Sequence, residues 1–84
     1  MSKWAGCIPI LNDKLKNEIE KVCRDINARD PSFHFRIYTS FISDYPYLLV
    51  IYGDDKNQTW RRLIWLKHKT VLKDYDTPMW VKPR

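Results

Sequence analysis

Arg61, Arg62, Trp65, Lys67 and Lys69 crowd into one stretch, Thr59–Lys73, which reads TWRRLIWLKHKTVLK. Cations held along a surface contact phosphates, and a flat aromatic face stacks on an unpaired base. A Trp set among Arg and Lys therefore suits single-stranded nucleic acid or an RNA loop. The same residue types anchor protein interfaces, so the strip also suits docking on an acidic partner surface, as an adaptor or inhibitor would. With Lys73 the stretch holds five cations and no acid, whereas the whole chain has 15 basic and 10 acidic residues and a net charge of +5. One segment thus carries a charge equal to the entire surplus.

Other chemistries are poorly supplied. A nuclease that sets an acid on one strand and an acid-x-Lys pair on the next needs a carboxylate two positions before Lys67 or Lys69. Those positions hold Trp65 and Lys67. Asp44, Asp54 and Asp55 sit among turn formers, where Asp hydrogen-bonds the nearby backbone more readily than it shares a hard cation. Gly6 and Gly53 are too far apart for a phosphate-cradling loop. Cys7, Cys23, His34 and His68 are separated by 16, 11 and 34 positions, which matches no zinc spacing. The aromatic consensus of the RRM, the GxxG of KH domains and zinc-finger spacing are all absent. The expectation is a protein without enzymatic activity, cofactor or metal.

The chain's 84 residues make one domain, 1–84, with a small core. Four Trp, five Tyr and three Phe exceed what such a core absorbs, so some aromatics belong on the surface. No apolar run reaches the roughly 18 residues that span a bilayer, and the first residues lack a signal-peptide pattern. A cytoplasmic protein with free thiols and no membrane partner is expected.

These side chains need a scaffold. Leu11, Leu15, Ile19, Val22 and Ile26 recur at helical spacing and predict an amphipathic helix, with Asn12 as its cap and Asp30-Pro31 as its stop. Ser32–Phe41 alternates, placing Phe33, Phe35, Ile37, Thr39 and Phe41 on one face and His34, Arg36, Tyr38 and Ser40 on the other, as in a half-buried strand. Ser43-Asp44-Tyr45-Pro46 reads as a turn, Tyr47–Tyr52 as a central strand, and 53–57 as a second turn. Residues 59–73 are ambiguous. As a strand they put Arg61, Leu63, Trp65 and Lys67 on one face, where Arg36 and Tyr38 join them if the sheet faces align. As a helix they align Trp60, Leu63, Ile64, Lys67 and Val71.

The short connection after a central strand favours a hairpin. The expected fold is α+β: an N-terminal helix packed on a three-stranded antiparallel meander, with an irregular tail from Asp74. The alternative is an αββα chain with residues 59–73 helical. The expected function is a small basic module that binds single-stranded nucleic acid or structured RNA through Arg36, Tyr38, Arg61, Arg62, Trp65, Lys67 and Lys69. The alternative partner is an acidic protein. An exposed edge strand, Ser32–Phe41 or Thr59–Lys67, would also allow a homodimer.

Overall fold

The computed structural model describes residues 2–39 and 44–84. Its elements run β1 (Trp4–Ile10), α1 (Asp13–Arg29), β2 (His34–Thr39), β3 (Tyr47–Gly53), α2 (Lys56–Lys69), a 3-10 turn (Val71–Asp74) and β4 (Trp80–Pro83). The four strands form one sheet in the order β2-β3-β1-β4, with every neighbouring pair antiparallel. A βαββαβ chain whose third strand lies between the first and the second is the split-βαβ, ferredoxin-like arrangement.

The α+β class holds, but four features of the expected fold do not. A strand precedes the first helix, the sheet has four strands rather than three, and the tail supplies one of them. Residues 59–73 are not a strand, and the helical alternative describes most of them. The predicted strand residues Ser40 and Phe41, and Ser43 of the predicted turn, lie outside the described residues.

The first helix forms for the reasons its sequence gives. Asn12 Oδ1 accepts the Leu15 amide at 2.9 Å, Asp13 sits at the positive end, and the chain leaves the helix at Asp30 ahead of Pro31. Leu15, Ile19 and Cys23 are buried along the inner stripe, but Leu11 precedes the cap and stays exposed. The second helix starts at Asp55, whose carboxylate accepts the Asn57 amide at 2.8 Å. Its inward line is Thr59, Leu63 and Leu66, continued by the buried Thr70 that caps the 3-10 turn. Trp60, which the helical reading of the sequence aligned with Leu63, is exposed while Leu63 is buried.

Both helices cover the same side of the sheet. Ile8, Ile10, Leu49 and Ile51 of the central strands join Leu15, Ile19 and Cys23 of α1, and Leu63 and Leu66 of α2, in one buried cluster. The second helix comes very close to β1. A Cβ placed on Gly6 would lie 2.9 Å from both Leu63 Cγ and Cδ1, and one on Gly53 only 2.4 Å from Thr59 Oγ1. Glycine at these two sites lets a helix sit on a sheet at backbone range. Pro9 lies past Cys7, the last β1 residue that β4 pairs with, so its missing N–H falls where β1 has a neighbour on one side only. Among the described residues no helix is long and apolar enough to cross a membrane.

Candidate nucleic-acid interface

Side chains in a strand alternate between faces, so with the helices on one side every second residue points to the other. Register fixes which. His34, Tyr52, Ala5 and Lys82 make one row across the sheet, and Arg36, Val50, Cys7 and Trp80 the next. Tyr38, Leu48 and Pro9 begin a third. Among the described residues no helix covers these rows: Ala5, Cys7 and Val50 form a small buried cluster whose partly buried neighbours are Leu48 and Tyr52, residues of the sheet alone.

Two tyrosines roof this cluster. The Tyr38 and Tyr52 hydroxyls meet at 2.7 Å across the row between them and so close over Val50, which is buried. Burial, and then the bond to Tyr38, push the Tyr52 phenol up, so it remains neutral. Arg84 lies over the Tyr52 ring, its guanidinium carbon 4.3 Å from the centroid. Ala5, Leu48, Val50, Tyr38, Tyr52 and Lys82 line a groove of about 470 Å3. A neighbouring groove of about 520 Å3 continues past Tyr52 to His34 and Arg36.

The floor is inert. Cys7 is 0% exposed, and burial pushes its thiol up even though the Lys82 charge pulls it down. The rim is reactive only through charge and aromatic surface. Tyr38 is 43% exposed and Trp80 39%. Arg36, Lys82 and Arg84 have no acid within ion-pair distance among the described residues. The strand residues facing this way include no Asp or Glu; Asp54, just past β3, is the first acid beyond them.

Of the seven residues expected to bind, the sheet brings two together here, Arg36 and Tyr38. The other five are on α2, which packs on the opposite face of the sheet, so the strip imagined for a strand is split between two surfaces. On the helix, Arg61, Trp65 and Lys69 follow one another at i, i+4 and i+8 and are exposed, with Trp65 at 46%. Arg62 turns aside. Its Nη2 lies 3.6 Å from Asp30 Oδ2, and its guanidinium carbon 5.7 Å from the Phe33 ring centroid. Lys67 is half-buried, and its Nζ is covered without a hydrogen-bond partner among the described residues.

Tyr52, Trp80, Lys82 and Arg84 escaped sequence reasoning. Period-two alternation existed for each: 48, 50 and 52 in β3, and 80, 82 and 84 in the tail. It was masked in β3 by apolar residues on both faces, and in the tail by Pro78 and Pro83. An edge strand tolerates a proline, and β4 is an edge. Among the described residues no group of three His, Cys, Asp or Glu is placed to hold a metal ion. No family model matches the chain, and no curated protein or solved structure is significantly similar to it, so the residues themselves carry the functional reading.

Proposed function

We propose that this protein is a non-enzymatic module that binds single-stranded nucleic acid on the open face of its sheet. The observation that carries the proposal is the composition of that face. Tyr38 and Trp80 offer exposed stacking surfaces, Arg36, Lys82 and Arg84, the last lying over the Tyr52 ring, offer phosphate contacts, and the facing strand positions contain no acid. Every base has a π-face, so a stacking platform beside a cationic groove holds single strands with little sequence preference. A four-stranded sheet that stacks bases on aromatics is also how the RRM works, which is an analogy of architecture only.

The two halves of the original strip then divide. Arg36 and Tyr38 act at the nucleic acid, while Arg61, Trp65 and Lys69 are left free on the other side of the domain. We place the protein in the cytoplasm, where its two buried thiols stay reduced. The exposed edge of β2 is where a second copy would pair, and sedimentation at rising concentration reads that directly.

The test is fluorescence anisotropy with end-labelled single-stranded RNA and DNA twelve-mers and a duplex control. Tyr38→Ala, at the most exposed ring of this face, is expected to weaken single-strand binding by about 1–3 kcal/mol, the usual cost of removing one stacking aromatic. Absence of binding at low salt, or equal affinity for Tyr38→Ala, would show that this face is not the site.

A further inference from the structure

We infer that the groove between α1 and α2 is a second, separate docking site, for a segment of another protein that carries a bulky apolar side chain flanked by acids. The groove measures about 390 Å3 and is lined by Ile26, Arg29, Phe33, Arg62, Trp65 and Leu66. That size falls in the roughly 300–1,000 Å3 range of sites that bury an apolar group. Its lining is largely apolar: Phe33 and Leu66 are buried, Ile26 is partly buried, and exposed Trp65 stands as one wall.

The charge around it decides the occupant. From Lys56 to Lys69 the second helix has Lys56, Arg61, Arg62, Lys67 and Lys69 and no acid. Arg61 and Lys69 flank Trp65 on the same outward line, and Arg29 closes the groove from the end of α1. Among the described residues Asp30 is the one acid lining the groove, and it is already engaged. It accepts the Ser32 amide at 3.1 Å and the Ser32 hydroxyl at 2.6 Å, and it faces Arg62. Its hydrogen bonds to Ser32, more than the Arg62 charge, hold its carboxyl below the usual carboxylate range, so it stays ionised and faces Arg62 at 3.6 Å. An incoming carboxylate thus meets Arg29, Arg61 and Lys69, and an apolar anchor meets Phe33, Trp65 and Leu66. Trp and Arg are the usual anchors of protein interfaces. An apolar helix face laid in such a groove is a common mode of recognition.

The site is independent of the nucleic-acid reading, because it lies on the helical side of the sheet. A random 16-residue phage-displayed peptide library selected on the wild-type protein tests it, with Trp65→Asp assayed afterwards against the enriched peptides. Trp65 is exposed, so this variant keeps the core intact. The expected result is enrichment of peptides with a Leu or aromatic residue between Asp or Glu. A synthetic peptide of the enriched sequence should bind the wild type, and bind roughly tenfold more weakly to Trp65→Asp and to the double variant Arg61→Glu, Lys69→Glu. Anisotropy with the single-stranded RNA twelve-mer should be unchanged for Trp65→Asp. The inference is overturned if no peptide enriches, if enriched peptides bind Trp65→Asp equally well, or if they are basic. It is also overturned if Trp65→Asp abolishes RNA binding, which would make the helical face the nucleic-acid surface.

Discussion

Removing one open-face cation should change the salt dependence of binding by an amount that can be worked out in advance. Arg36, Lys82 and Arg84 stand on the exposed sheet without an acid partner among the described residues, so each is available to displace one condensed counterion. For single strands each phosphate contact contributes about 0.7 to the slope of log affinity against log salt, so three contacts give a slope of about −2.1. Between roughly 50 and 200 mM salt that slope lowers affinity about 18-fold, and with two contacts, a slope of about −1.4, only about 7-fold. The perturbation is Lys82→Gln, at an exposed position of an edge strand, which leaves the core untouched. The assay is anisotropy with the RNA twelve-mer at four salt concentrations. A wild-type slope near zero would refute the phosphate contacts altogether. An unchanged slope in Lys82→Gln, with a reduced one in Arg61→Gln, would move them to the second helix.

Three further outcomes follow from the packing and titration of the domain. Gly6→Ala should cost about 1–3 kcal/mol, as overpacking does, because the new methyl meets Leu63, which is itself fully buried. Chemical denaturation measures it, and a double variant with Leu63→Ala should cost less than the two single changes added together. Cys23 should make the fold sensitive to alkali. Burial, helped by the Glu20 charge, pushes its thiol from 9.0 up to about 12. The unfolded thiol therefore ionises first, and stability that is complete below the unfolded value falls by about 1.4 kcal/mol per pH unit as pH rises from there. Urea midpoints at pH 8 and pH 10 read that loss, and Cys23→Ala should reduce it, leaving the smaller part that the buried Cys7 thiol contributes in the same sense. Asp30 works in the opposite sense: its lowered carboxyl stabilises the fold above the unfolded value, and that contribution fades as pH falls below it. Ser32→Ala, which removes the hydroxyl donor, should reduce the acid sensitivity of the midpoint.

The first helix was legible because its inward positions are all apolar or cysteine and its ends carry Asn12 and Asp30-Pro31. The second helix hid because two of its inward-line positions, Thr59 and Thr70, are threonines that do not read as apolar, while Trp60 and Trp65 look like core and are not. Burial of Thr59 is affordable because its hydroxyl donates to the Asp55 carbonyl at 2.8 Å. The first strand has no apolar-polar period because it is central and its residues are buried on both faces, Ala5 and Cys7 on one and Ile8 and Ile10 on the other. Chain order alone could not reveal that the tail completes the sheet beside it, since that pairing joins residues at opposite ends of the chain. The half of the candidate site on β2 was visible as alternation. The half on β3 and β4 depended on a register that only the folded sheet supplies.

Where an unpaired strand lies on the folded protein is the most direct test of the central claim. Ultraviolet cross-linking of the single-stranded RNA twelve-mer, followed by mass spectrometry of the digested complex, locates the contacted residues. Adducts on Tyr38, Tyr52 or Trp80 are predicted; adducts confined to Trp60 and Trp65 on the second helix would contradict the assignment of the open sheet as the binding face.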